Sequence, residues 1–166
     1  MTHASPRAFV RAAGASFIAA ATFAAAGPAA AQQARIRQLN DIAFGTIGSA
    51  TVDLVRTDNL CVYSTAASGR YTVTARGSGS SNAFTLVSGS NTLPYEVQWA
   101  FASGQASGIM LSPNVALAGT TTNRNSATCG TNRLTASLIV VLRSNAQQSA
   151  TAGNYAGTLT LIVAPN

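Results

Sequence analysis

The chain contains no lysine: all ten of its basic residues are Arg. A lysine nucleophile or Schiff base is therefore excluded. The single histidine, His3, stands at the extreme N-terminus, so the rest of the chain has no imidazole. That removes Ser-His-Asp and Cys-His catalysis, along with most catalytic metal sites. Acidic groups are also scarce, with only Asp41, Asp53, Asp58 and Glu96. A glycosidase needs two carboxyls that converge across a cleft. Asp53 and Asp58 flank a strand end with Arg56 nearby, and both read as solvated surface. No GxSxG motif, phosphate loop or calcium loop is present. These absences predict a protein that is not an enzyme and uses no cofactor and no metal.

Long apolar runs are missing too, with one exception. Residues 12–26, AAGASFIAAATFAAA, follow Arg7 and Arg11 and precede GPAAA. The run is shorter than the ~20 apolar residues a membrane span needs. A positive start, a short apolar stretch and small residues at Ala29 and Ala31 form the pattern of a secretory signal peptide. Cleavage is expected between Ala31 and Gln32. The expected organisation is a signal peptide over 1–31 and a single domain over 32–166, with no transmembrane segment once the signal is removed. That domain carries eight Arg against four carboxylates, a net charge of +4. The Arg are scattered and form no patch, so nucleic acid is not an expected partner.

Only two cysteines occur, Cys61 and Cys129. An even count in an exported chain argues for one disulfide. In the chain-entropy model a bridge over this separation is worth about 4 kcal/mol. A structural zinc site would need four Cys or His ligands, and these two Cys are all the domain has.

Helical periodicity is absent, and period-2 alternation recurs instead. Tyr71, Val73 and Ala75 share a face in 70–76, and Leu93, Tyr95, Val97, Trp99 and Phe101 share one in 93–101. Leu134, Leu138, Val140 and Leu142 align in 134–142, as do Tyr155, Leu159, Leu161 and Val163 in 155–163. Shorter candidate strands are 41–47, 51–56, 60–64, 83–88 and 109–111. The separators are Gly/Ser/Asn-rich turns, and 120–132 forms one long polar loop. Many short strands with such turns predict an all-β sandwich. Trp99 could stack on a sugar, but its register with Tyr95 and Val97 favours a core position.

The order of several segments carries a family resemblance. Phe44-Gly45 comes first, then CVYS (61–64), YTVTARGSG (71–79), AFTL (83–86) and LPYEVQW (93–99). Cys129 follows in a polar loop, and the chain closes on G-x-Y-x-G-T-L-T-L-x-V-x-P (153–165). This resembles the spore coat protein U domain family over about 40–166, a family similar to subunits of archaic chaperone–usher pili. The resemblance implies an immunoglobulin-like β-sandwich that lacks its final strand. A strand from a partner would complete it, lent first by a periplasmic pilus chaperone and replaced at the usher by another pilus subunit. It implies export to the periplasm and then to the cell surface. It matches Cys61 and Cys129 to the family's cysteines and makes Tyr155, Leu159, Leu161 and Val163 the candidates lining the partner-strand groove.

A polymerising subunit must also donate a strand. Between the expected cleavage site and Phe44 lie only the 12 residues QQARIRQLNDIA. Ile42 and Phe44 alternate inward, so they are expected in the domain's own first strand. The remaining QQARIRQ is short, carries two Arg and lacks alternating apolar residues. The expectation is a unit that accepts a strand and does not donate one, as at the tip of a fibre. The alternative is a self-complete extracellular sandwich that binds surface carbohydrate.

Overall fold

The computed structural model describes residues 31–45, 47, 51–119, 129 and 133–166. Apart from Ala31, the expected signal peptide lies outside these residues, as does the polar loop 120–132 apart from Cys129. In chain order the strands are β1 (Ala34–Arg37), β2 (Leu54–Ser64), β3 (Tyr71–Gly77), β4 (Thr85–Ser88) and β5 (Asn91–Pro94). They continue with β6 (Glu96–Ala100), β7 (Ile109–Met110), β8 (Ala116–Ala118), β9 (Ala136–Leu142) and β10 (Leu159–Pro165). A short helix, α1 (Ser144–Ser149), lies between the last two strands.

The strands form an all-β sandwich. One sheet has the order β1-β2-β9-β6-β7, the other β10-β3-β8, and β4 and β5 form a separate hairpin. Every pair is antiparallel. The run β1-β2-β9-β6 matches strands A, B, E and D of the immunoglobulin frame, and β3 with β10 matches C and F. In that frame strand G lies beside F. Among the described residues no strand occupies that position.

Alternation places the core between the sheets. On β3, Tyr71, Val73 and Ala75 are buried while Thr72 and Thr74 are only half-buried. Leu60 and Val62 of β2, Val97 and Trp99 of β6, and Leu138, Val140 and Leu142 of β9 meet them. Trp99 is fully buried and donates Nε1–H to the Tyr71 hydroxyl at 3.3 Å. It has no surface on which to stack a sugar, so the core reading of Trp99 holds. All seven residues of β9 are buried, because β2 and β6 flank it and the 102–108 loop folds over its outer side. Gln105 donates its backbone N–H to Ser137 Oγ at 3.1 Å, and Gly104 donates to Asn59 Oδ1 at 2.7 Å. The expected disulfide joins Cys61 and Cys129 with a Cα separation of 5.9 Å, so the distant Cys129 is held against β2.

The structure departs from the sequence expectations in several places. The first strand is not 41–47 but Ala34–Arg37, which pairs with Cys61–Ser64 of β2. Gln38 has φ 64, a left-handed conformation that ends the ladder and turns the chain aside. Beyond it Ile42 and Phe44 are half-buried and Asp41 and Ala43 exposed, so the inward alternation holds without strand pairing. The 51–56 and 60–64 candidates are one strand of 11 residues. The 93–101 run breaks at Tyr95, since β5 pairs with β4 while β6 pairs with β9. Helix α1 had no periodic signal to reveal it, since at 6 residues it is shorter than two turns.

Asp53 is exposed as expected, though ion-paired, whereas Asp58 is buried and not solvated surface. Asp58 is 9% exposed, and its carboxylate accepts from the Asn40 backbone N–H at 2.8 Å and from Asn40 Nδ2 at 2.9 Å. Asp53 accepts from the Ser144 N–H at 2.8 Å and from Arg143 Nη1 at 2.7 Å, which together hold its carboxyl below the usual range. Arg143 also donates Nε to Glu96 Oε1 at 2.9 Å, so one guanidinium ties the start of β2, β6 and the end of β9 together.

Candidate functional site

Among the described residues β10 has one partnered edge. Its seven residues pair with β3, from Leu159 opposite Gly77 to Pro165 opposite Tyr71. The next residue, Asn166, donates its N–H to the Arg70 carbonyl at 3.1 Å. In an antiparallel ladder, hydrogen-bonded and non-bonded pairs alternate. Counting back from Asn166, the backbone groups of Ala164, Ile162 and Thr160 face β3. Those of Val163, Leu161 and Leu159 therefore face the other way, toward the unoccupied edge. The opposite edge of β3 gives the same parity, because Gly119 donates its N–H to the Tyr71 carbonyl at 2.9 Å. Leu159, Leu161 and Val163 also carry the inward side chains, which are half-buried and packed on the core. The same three residues thus present unpaired backbone groups and incompletely covered apolar side chains.

The other edges of the two main sheets are better protected. β1 carries Arg35 and Arg37, β7 has 2 residues and β8 has 3. Charge and shortness both discourage strand addition. β10 has 7 residues, no charge, and Pro only at its final position. Pro165 lacks an N–H and so ends the usable ladder there.

Beside the β10 edge lies an open groove of about 960 Å³. Leu159 and Leu161 line one wall, and Tyr155, in the loop before β10, continues it. Leu138 and Val140 of β9 line its floor, and the irregular segment around Ile42 and Phe44 lines the facing wall. That segment is anchored by the Asn40–Asp58 bonds and by Arg56 Nε, which donates to the Ala43 carbonyl at 3.2 Å. Tyr155 is fixed in turn: its hydroxyl donates to the Thr151 carbonyl at 3.0 Å. Among the groove-lining residues Asp41 is the only charged one.

Three of the four residues expected at the groove line it: Tyr155, Leu159 and Leu161. Val163 packs on the core but does not line the cavity, because β1 closes alongside β10 toward that end. Sequence reasoning did not assign Leu39, Leu86, Tyr95, Leu138 and Val140 to the groove, although all five line it. Tyr95, Leu138 and Val140 were visible as inward positions of alternating strands. Which of those positions would open on the cavity depends on how the sheets meet. Tyr95 is 8% exposed, its ring stacks on Phe84 at a centroid distance of 5.8 Å, and burial pushes its hydroxyl pKa up.

Among the described residues, no group of three or more His, Cys, Asp or Glu side chains could hold a metal. No helix among them is long and apolar enough to cross a membrane. No family model and no curated protein matches the sequence. Among solved structures the fold is similar to that of a chain in a chaperone–tip adhesin complex of CFA/I fimbriae biogenesis. The identity is 14% and the TM-score 0.55, over 80% of this chain and 41% of that one. This chain thus spans less than half of the chain it resembles, and the likeness is one of fold.

Proposed function

We propose that this protein is an exported structural subunit of a surface fimbria, assembled by strand complementation. The unpaired edge of β10 carries this reading. Leu159, Leu161 and Val163 turn backbone N–H and C=O groups to the unpaired edge, and Leu159 and Leu161 border a groove with a mostly apolar lining, so an extended polypeptide satisfies both needs at once. Backbone hydrogen bonds would supply affinity, and alternate side chains entering the groove would supply specificity. The partner strand comes first from a periplasmic chaperone and then, at an usher, from a neighbouring subunit. The fold shared with a chain of a chaperone–tip adhesin complex supports the same class of assembly, as does the resemblance to the spore coat protein U family.

A tip or capping place in the fibre is supported by β1. ARIR, read in the sequence as part of a leftover extension, pairs with β2 inside the domain. If export cleaves the chain between Ala31 and Gln32, only Gln32 and Gln33 precede β1, and Gln33 is itself bonded to Thr65. No segment is then left to donate, which suits a tip or capping unit.

The test is amide hydrogen exchange on the chain purified from the periplasm, free and in complex with its co-expressed chaperone. In the free chain, Leu159, Leu161 and Val163 should exchange rapidly while Thr160, Ile162 and Ala164 are protected. In the complex all six should be protected. A chain stable alone with uniform protection along β10, and no complex with the chaperone, would overturn the proposal.

A further inference from the structure

The groove is lined mostly by apolar side chains, and of its polar ones (Asn40, Asp41, Asn154, Tyr155, Thr158 and Tyr95) only Tyr95 is buried. Among the described residues the Tyr95 hydroxyl has no hydrogen-bond partner, although the residue is only 8% exposed. Gln147 Oε1 is the one side-chain polar atom among them that is both sealed from solvent and unpartnered. The Tyr95 hydroxyl is therefore not sealed; it opens on the groove that Tyr95 lines. The ring cannot swing away easily. It is stacked on Phe84, and the Tyr95 backbone N–H donates to the Phe84 carbonyl at 2.9 Å.

While the groove is open, water can satisfy Tyr95. A strand that fills the groove expels that water. An all-apolar strand would leave a buried hydroxyl unpaired, which is the costly outcome for a polar group. A charged side chain is no better, because filling the groove would strip its hydration at a greater cost than that of an uncharged group. From this we infer that the strand filling the groove carries one uncharged hydrogen-bonding side chain, such as Thr, Ser, Asn or Gln, at the inward position that meets Tyr95. Tyr95 is thus a specificity-determining residue that sets the register of the incoming strand. A one-residue slip turns the inward set outward, and a two-residue slip puts an apolar residue on the hydroxyl. The inference rests on the strand-accepting reading and adds to it the chemistry and register of the partner.

The test uses synthetic ten-residue strands with Val at the inward positions and Thr at the outward ones, and a series in which each inward Val in turn becomes Thr. Val and Thr are nearly isosteric, so the series changes hydrogen bonding at constant shape. Binding is measured to the full exported chain and to Tyr95→Phe. At one inward position Thr should bind the native chain about tenfold more tightly than Val, a ratio typical of one buried hydrogen bond. In Tyr95→Phe that preference should vanish, while the all-Val strand binds at least as well as before. That last arm shows that the variant is folded and competent. A Thr preference at no position, or one that survives in Tyr95→Phe, would overturn this inference and leave strand acceptance intact. If no strand of the series binds either protein, strand acceptance fails and this inference with it.

Discussion

Leu161 lies at the centre of the β10 edge, and its replacement by Asp gives a quantitative test of the groove. In the free chain the groove is open, so the new carboxylate can stay hydrated. The loss there is part of one leucine's packing, about 1 kcal/mol. Once a strand fills the groove the same position is dry, and Asp41 is the only charge nearby. The carboxyl must then enter protonated. Holding a group of ordinary pKa about 3.9 neutral at pH 7 costs about 4 kcal/mol. The dissociation constant should rise about a thousandfold, with a further few-fold from lost apolar contact. The pH dependence has a definite sign. The carboxyl pKa is raised in the complex, so binding strengthens as pH falls, by about tenfold per unit between pH 7 and 5. The native chain should show no such slope. The assay is fluorescence anisotropy of a rhodamine-labelled complementing strand at pH 5, 6 and 7. Thr160→Asp serves as control, because Thr160 is exposed on the outer face of β10. Its affinity should match the native chain. Binding by Leu161→Asp within about threefold of native at pH 7 would refute the assignment of Leu161 to the strand-filled groove.

Three further outcomes follow from the core. Cys129→Ser opens a loop of 68 residues and should lower unfolding free energy by about 4 kcal/mol in urea titrations. A reductant should do the same to the native chain, and a loss below about 1 kcal/mol would show that the bridge adds little. The Tyr71 hydroxyl pKa is pushed up to about 12, chiefly by burial, with the Trp99 hydrogen bond opposing. The folded chain keeps a proton that the unfolded chain loses near pH 10, so stability should fall between about pH 10 and 12, by up to about 3 kcal/mol. Tyr71→Phe should reduce that slope, leaving the part due to Tyr95, whose hydroxyl pKa burial also pushes up, and an unchanged slope would place its origin elsewhere. Trp99→Ala should cost about 3–5 kcal/mol as a cavity in the core. Native Trp99 emission should be blue-shifted and indifferent to added saccharides. A sugar-dependent shift would contradict its burial.

Much of the sandwich was legible because alternation is a local property. A residue's side of a strand follows from its position alone, so Tyr71, Val73, Val97, Trp99 and Leu138 could be placed in the core from their spacing. The disulfide was legible because only two cysteines exist. Pairing is not local, and there the sequence was a weaker guide. Ile42 and Phe44 alternate as a first strand should, yet the left-handed turn at Gln38 gives the ladder to Ala34–Arg37, whose two Arg had made it look unlike a strand.

The closing segment marks the same division. Alternation in the sequence put Tyr155, Leu159, Leu161 and Val163 on one face of a segment over 155–163. Which edge stays unpaired, and which backbone groups face it, was decided by the register with β3. Val163 left the groove lining because β1 closes on that end of β10, and Tyr95 joined it at the break between β5 and β6, with its ring stacked on Phe84. Side-chain alternation is written residue by residue. The shape of a groove depends on how two sheets, joined through residues far apart in the chain, come to face each other.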